Sequence, residues 1–444
     1  PRRAALGSAL LLLGSVALVG ETAIQAVYTP DVLARLTLLA GVALAGLVLG
    51  GACGRPPAWA IVLSALLGVR ALAVAPPLND VALSNVVLDP GGGGRLLTGV
   101  LVVAAVTAVP ALLPLLQVLH TKQVAAVALT VAAAGYALVI LGAIPMIDVW
   151  ALLQGAGHGL MQGRNPYELA FPAAPPGQTD HCFTYLPATA LLTTPGVWFG
   201  DARWAELALL IGAGTLLVWH LQRRGGARVG LAVLVVVLPG TVYLVQQSWT
   251  ETLVLPALVA TAVLTDRGRT GWAAVAFGVA LATKQHVVLL VPVLLLCRFR
   301  LRDLTVAAGT AAALTLPWLA ANPARFVECT ADFFLSAEAP RTSLSWWLHL
   351  PEPFRLPLLG AALLAGYLLA WRYCPRNGGG FLVGAAAVFT TFGLVNKQTF
   401  LNQWWLVAAL VVAGLALAGQ SPPAPVAADD EARSERPQAD VLHR

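Results

Sequence analysis

Apolar runs, mostly 15–23 residues long and parted by short polar breaks, fill this chain from near its first residue to about position 419. Spans are expected near 5–20, 32–51, 57–75, 96–118, 123–144, 203–221, 228–246, 250–265, 271–283, 285–297, 304–320, 355–371, 380–395 and 401–419. The runs do not alternate apolar and polar residues, so they predict helices and not the strands of a membrane barrel. Backbone groups in lipid must be satisfied internally, which a helix does by itself. The expected fold is therefore an all-α polytopic membrane bundle of about 12–14 transmembrane helices. The runs 271–283 and 285–297 are short, with Lys284, Gln285 and His286 at their junction, and read as tilted or incomplete spans.

Composition agrees with the pattern: 58% of the 444 residues are hydrophobic and 11% are charged. A soluble domain carries about 25% charged residues. The net charge of +6 is spread over the connections and forms no continuous basic tract, which argues against nucleic-acid binding. Richness in Ala, Gly, Val and Arg with scarce Lys points to a bacterium with GC-rich DNA. The first run follows Arg2 and Arg3 and reads as a retained signal anchor. Positive residues favour the cytoplasmic side. Placing the Arg- and Lys-bearing connections there puts both termini inside and two long connections, 145–202 and 321–354, outside. That ordering requires segment 186–199 to lie as a helix at the outer surface, with Trp198 at the interface. The Pro- and charge-rich tail 420–444 is expected to be disordered and cytoplasmic.

Candidate chemistry gathers in the long connections. Asp148 lies within a few residues of the end of the fifth span, where an ionised carboxylate needs a wet cavity or a partner. Segment 149–162 continues as an amphipathic helix carrying Trp150, Leu153 and Leu160 on one side and Gln154 and His158 among its polar residues. Arg164, Asn165, Pro166 and Tyr167 break it. Lys284, His286 and Lys397 fall at the outer ends of spans, against the charge trend, and are candidate anion contacts. Gln246, Gln247, Trp249 and Glu251 near another outer end could line a sugar pocket. Glu168, Asp180 and His181 have no metal-ligand spacing, so no metal is assigned. Cys182 and Cys329 fall in the two outer connections, where they either pair or remain two unrelated thiols. Gly91–Gly94 is read as a loop, without the strand and Lys of a phosphate cradle.

Three short motifs carry a resemblance: a hydrophobic helix ending near Asp148, then Gly163-Arg164-Asn165-Pro166-Tyr167, then Phe183-Thr184-Tyr185-Leu186-Pro187. In this layout the chain resembles the GT-C superfamily of membrane glycosyltransferases. More narrowly, it resembles glycosyltransferase family 87, the polyprenyl-phosphate-mannose-dependent mannosyltransferases. It departs from that family at Leu186, where a proline is usual, and in four extra spans over 1–121 that precede a core over 122–419. The resemblance implies an inverting transfer of a hexose, most simply mannose, from a polyprenyl phosphate to an extracytoplasmic glycolipid or glycan. The bacterial cytoplasmic membrane would then be both the location and the source of the donor. It assigns Asp148 as general base and Lys284, in Ala282-Thr283-Lys284-Gln285, as a phosphate contact. His286, Lys397, Arg164, Asn165, Tyr167, Tyr185 and His158 complete the expected substrate contacts, with no cofactor. The alternative is a transporter or flippase of a lipid-linked or small polar substrate, although the polar residues crowd one membrane face instead of the midplane. A purely structural or assembly protein is a third reading.

Overall fold

The computed structural model describes residues 2–24, 29–74, 86–88, 91–115, 118–145, 147–172, 179–221 and 226–418. The expected tail 420–444 lies outside them. In chain order the principal helices are α1 (Arg2–Ile24), α2 (Pro30–Val48), α3 (Ala58–Val74), α4 (Gly92–Thr107), α5 (Val118–Gly142), α6 (Asp148–Met161), α7 (Pro187–Trp198) and α8 (Arg203–Leu221). They continue with α9 (Gly226–Val236), α10 (Thr241–Gln247), α11 (Glu251–Asp266), α12 (Thr270–Leu281), α13 (Leu301–Ala321), α14 (Glu352–Tyr373), α15 (Gly378–Val395) and α16 (Leu401–Leu417).

Each of the fourteen apolar runs forms helix. Among the described residues, nine helical stretches are long and apolar enough to cross a membrane. Four further apolar helices, Ala58–Leu72, Thr270–Leu281, Gln285–Cys297 and Leu401–Leu417, are shorter. The protein is an all-α multi-pass membrane protein. Its one departure is a three-residue antiparallel ribbon, Val86–Leu88 against Ala143–Pro145, which the apolar pattern did not foretell. Gly92–Gly94, read as loop, instead opens α4.

Three runs depart from simple α-helices, the first being 96–118, which is interrupted at Ala108 and continues as a short helix, Val109–Leu112, and a 3-10 turn, Leu113–Leu115. The run 228–246 is broken between α9 and α10, where Pro239 lacks an amide hydrogen and Gly240 adopts φ +84°. The run 285–297 is a 3-10 helix throughout, Gln285–Cys297, ending at a left-handed Arg298. At about 2.0 Å rise per residue its thirteen residues reach ~26 Å, against ~20 Å in α form, so a short segment nearly covers the bilayer core. Tyr367 donates to the Leu289 carbonyl at 2.8 Å and Trp371 to that of Pro292 at 3.2 Å, supporting it from α14.

The helices share one apolar core that runs from Ala9 to Leu417, so the N-terminal spans pack into the same body as the rest. Small residues permit close helix approach: a Cβ added at Gly14 of α1 would sit 2.8 Å from the Ala43 amide of α2. Helices α9, α15 and α16 are almost wholly buried, whereas α13 and α14 present Leu301, Leu316, Leu356 and Leu364 to the surroundings. Apolar side chains on a membrane helix are stable facing lipid, so these exposed faces need no further cover.

The two long connections pack on each other at one end of the bundle around a second, smaller core that includes Leu152, Tyr167, Phe183 and Phe326. Cys182 and Cys329 form a disulfide across this core, with Cα atoms 5.2 Å apart and 147 residues between them in sequence. Asn322 donates to Glu168 at 2.9 Å and Arg325 to the His181 carbonyl at 2.5 Å. Segment 186–199, expected as a surface helix, forms α7, with Pro187, Ala188, Thr189, Ala190, Thr193 and Val197 buried against the bundle. Its twelve residues extend ~18 Å, too short to cross, and Trp198 and Phe199 at its end are exposed.

Candidate functional site

Two adjoining chambers open where the long connections meet the helix ends. The larger, about 920 Å³, is lined by Asp148, Thr179, Tyr185, Trp249, Thr250, Lys284 and Asn402, among others. The smaller, about 520 Å³, holds Lys284, His286 and Lys397 among Phe334, Leu335, Phe389, Phe392 and Leu406. Lys284, Phe334, Gln398 and Gln403 belong to both walls. The pair thus joins a larger chamber bearing the carboxylates Asp148 and Glu338 to a smaller, more apolar chamber carrying cations.

Asp148 is the first residue of α6, not the last of the preceding helix. The chain leaves α5 at Gly142, passes through the ribbon and turns before α6 begins. One carboxylate oxygen accepts from the Val149 amide at 2.8 Å and the other from the Thr179 hydroxyl at 3.5 Å. Burial pushes the Asp148 carboxyl above its ordinary 3.8, and those two hydrogen bonds pull the other way. Tyr185 stands close by. Burial, with the neighbouring charges of Asp148, Glu251 and Glu206, holds its phenol well above 10.0, so it remains a hydrogen-bond donor.

The loop bearing Asp148 is fixed from beneath by Arg203, which is 1% exposed. Its guanidinium donates to Ile140 O at 3.0 Å and Ala143 O at 2.8 Å, capping the end of α5. It also pairs with Asp201 at 2.6 Å. Asp201 in turn accepts from Trp150 of α6 at 3.2 Å. One buried pair therefore links the α5 exit, the start of α6 and the start of α8.

Lys284 is placed by stitching between distant segments. Ala188 donates to Ala282 O at 2.9 Å, the Thr189 hydroxyl to Thr283 O at 2.5 Å, and Gln285 to Thr184 O at 2.9 Å. Gln285 also reaches Thr330 O at 3.2 Å. These bonds bring the 183–189 motif and Tyr185 beside Lys284. The ammonium itself donates to Glu251 Oε1 at 2.5 Å, and Asn402 donates to Glu251 Oε2 at 2.8 Å. The expected lone cation is therefore half of an ion pair. Lys397 differs: it donates to the Phe334 and Leu335 carbonyls at 3.3 and 3.2 Å, and no carboxylate pairs with it among the described residues. His286 lies edge-on to Phe389 at 5.1 Å.

Of the expected site residues, Asp148, Tyr185, Lys284, His286 and Lys397 reach the chambers, whereas Arg164, Asn165, Tyr167 and His158 do not line either one. Asn165 and Tyr167 instead hold the loop together. Gly163 adopts φ +70°, a conformation that disfavours side chains, and Asn165 Oδ1 caps the Tyr167 amide at 3.1 Å. Tyr167 is fully buried against Phe183 and Phe326, and its hydroxyl donates to Tyr185 O at 2.8 Å. His158 is exposed and touches only Gln154, at 3.2 Å, while Arg164 is exposed. His181, Cys182 and Glu328 have ligand atoms within 4.8 Å of one another, but the disulfide occupies the Cys182 sulfur.

Glu251, Asn402 and Gln285 carry the site's wiring, and sequence reading gave them little or no weight. For Glu251 a signal existed, since an acid opening an apolar run calls for a partner. No protein-family model matches the chain, and no curated protein matches it.

Proposed function

We propose that the protein is a GT-C-type hexosyltransferase that takes its sugar, mannose being the simplest case, from a polyprenyl phosphate in the membrane. The observation carrying this reading is the shared wall: Asp148 and Lys284 open on one chamber of about 920 Å³, and Lys284 opens also on the apolar chamber. The larger chamber, with Asp148, Thr179, Tyr185 and Asn402 on its wall, suits a sugar and an acceptor hydroxyl, and its size falls in the range of small-molecule sites. The apolar chamber suits the phosphate end of a prenyl chain, with Lys284, His286 and Lys397 as donors to the anion.

In this mechanism the acceptor O–H gives its proton to Asp148 as its oxygen bonds to the anomeric carbon. The bond from that carbon to the donor phosphate breaks, and its electron pair leaves on the phosphate, where Lys284 and Lys397 stabilise the added charge. Attack opposite the leaving group inverts the anomeric centre. Tyr185, protonated beside Asp148, donates to a sugar hydroxyl. In this reading that end of the bundle faces outward from a bacterial cytoplasmic membrane, which the charge pattern of the connections supports.

The test is transfer in membranes supplied with polyprenyl-phosphate sugar. Asp148→Asn is expected to lose transfer by about 10²–10⁴-fold, the scale of a general base. Wild-type protein is expected to release polyprenyl phosphate only when acceptor is present. Sugar movement across proteoliposomes without such release would establish transport instead.

A further inference from the structure

We infer that Glu251 sets how tightly the chambers hold a phosphate anion, acting as a fixed counter-charge that loosens the grip of Lys284. The inference rests on the proposed lipid-phosphate donor. It concerns a residue that this reaction does not itself require.

Glu251 opens α11 with its side chain fully buried, and each carboxylate oxygen is committed, one to Lys284 at 2.5 Å and one to Asn402 at 2.8 Å. Lys284 is 12% exposed on its side chain and is the cation common to both chambers. An anion reaching that ammonium must share it with a carboxylate that cannot move away, because Asn402 holds its far oxygen. The carboxylate also repels the anion through the weakly screening protein interior. A site built only for tight phosphate binding would leave this lysine unpaired, as Lys397 is among the described residues.

The balance matters because the phosphate changes charge during transfer. The donor is a diester carrying one negative charge, and the product is a monoester carrying up to two. An uncompensated lysine would hold the product more strongly than the donor and delay its release, a common limit on turnover. Glu251 offsets that preference.

The experiment measures binding of a polyprenyl phosphate to the full-length protein in detergent micelles, without turnover, beside the kcat and donor KM of transfer. Glu251→Gln is expected to bind polyprenyl phosphate about tenfold more tightly, the effect of removing one interior charge roughly 7 Å from the ligand. Its kcat should fall through slow release, and donor KM should fall with it, because the donor's single charge is held more tightly as well and the slowed step follows the chemistry. Glu251→Asp withdraws the charge by one methylene and should tighten binding about two- to threefold, keeping the readout should the Gln variant fold poorly. Glu251→Gln combined with Lys284→Gln should bind no more tightly than wild type. Weakened or unchanged product binding in both single variants overturns the inference while leaving the transferase reading intact, provided that wild type still transfers. Failure of the wild type to bind the lipid phosphate overturns both.

Discussion

Replacing Arg203 with Met removes the guanidinium from the buried junction beneath Asp148 while keeping much of its volume. Three consequences follow from the structure. The Ile140 and Ala143 carbonyls lose charged donors at 3.0 and 2.8 Å, and Asp201 loses its ion pair at 2.6 Å. Breaking a buried pair from one side destabilises by ~3–5 kcal/mol. Asp201 is partly accessible and keeps the Trp150 indole at 3.2 Å and the Arg203 backbone amide at 2.9 Å. The expected loss therefore lies near the lower end, ~3 kcal/mol. Removing the stranded charge as well, in Arg203→Met with Asp201→Asn, should restore ~1 kcal/mol or more, because the desolvated carboxylate is what makes the single change costly. A double-mutant cycle by denaturant or thermal unfolding in detergent measures the coupling. Additive losses, with no coupling beyond ~0.5 kcal/mol, would refute the argument that this pair acts as a unit. In the transferase assay the single variant should also lose activity out of proportion to its folded fraction, since the α5 exit that carries Asp148 is loosened.

The remaining predictions concern the chamber and its frame. Because burial raises the Asp148 carboxyl above 3.8, its charged form is lost at a higher pH than for a free carboxylate, so the acid limb of kcat/KM should lie above the ordinary range. The same shift means that the folded state gains most from the neutral acid at low pH and loses that contribution as pH rises through the elevated value. Thr179→Ala removes a bond to the charged form, and should move the limb further upward; an unmoved limb would separate Asp148 from the titration. Tyr167→Phe should cost about 1 kcal/mol of stability and leave donor KM within about twofold, since its hydroxyl serves the Tyr185 backbone and not the chamber. A large change in KM at unchanged melting temperature would make it a substrate contact after all. Cys182→Ser with Cys329→Ser should lower stability, by at most ~5 kcal/mol in the chain-entropy limit for a 147-residue loop, and the unfolding temperature with it. The bilayer already confines that loop, so an equal melting curve with and without reductant is the result that would count against it.

Much of the frame could be read from the chain because lipid imposes a coarse rule: long apolar runs become helices, and all fourteen did. The rule is blind to helix type. The run 285–297 is apolar whether wound as α or 3-10, and only its neighbours in α14 and the left-handed Arg298 distinguish them. The chamber was partly legible: Asp148, Lys284, His286 and Lys397 stood out as charges or imidazole in poor solvent. Their company did not. Lys284 and Glu251 are 33 residues apart and Glu251 and Asn402 are 151 apart, so no local pattern joins them. The motif at 163–167 stands away from both chambers. Its polar residues sit close to Asp148 in sequence and suggested contact with substrate, yet a glycine turn and an Asn cap direct Tyr167 into the loop core. Proximity along the chain carried no information about which side of the loop faces the chamber.

The bond between Cys182 and Cys329 also imposes an order on how this protein is made. Helices α7 to α13 lie between the two sulfurs, so the bond can close only after α13 has been synthesised and threaded. The wall formed by Phe333, Phe334, Ser336 and Glu338 lies just beyond the second cysteine. An unfinished chain therefore has a carboxylate at Asp148 but no enclosed chamber around it, and the site becomes whole only as the last third of the protein arrives. Once closed, the bond turns the intervening chain into a covalent ring. A single proteolytic nick between the cysteines would open that ring without separating the two halves of the site.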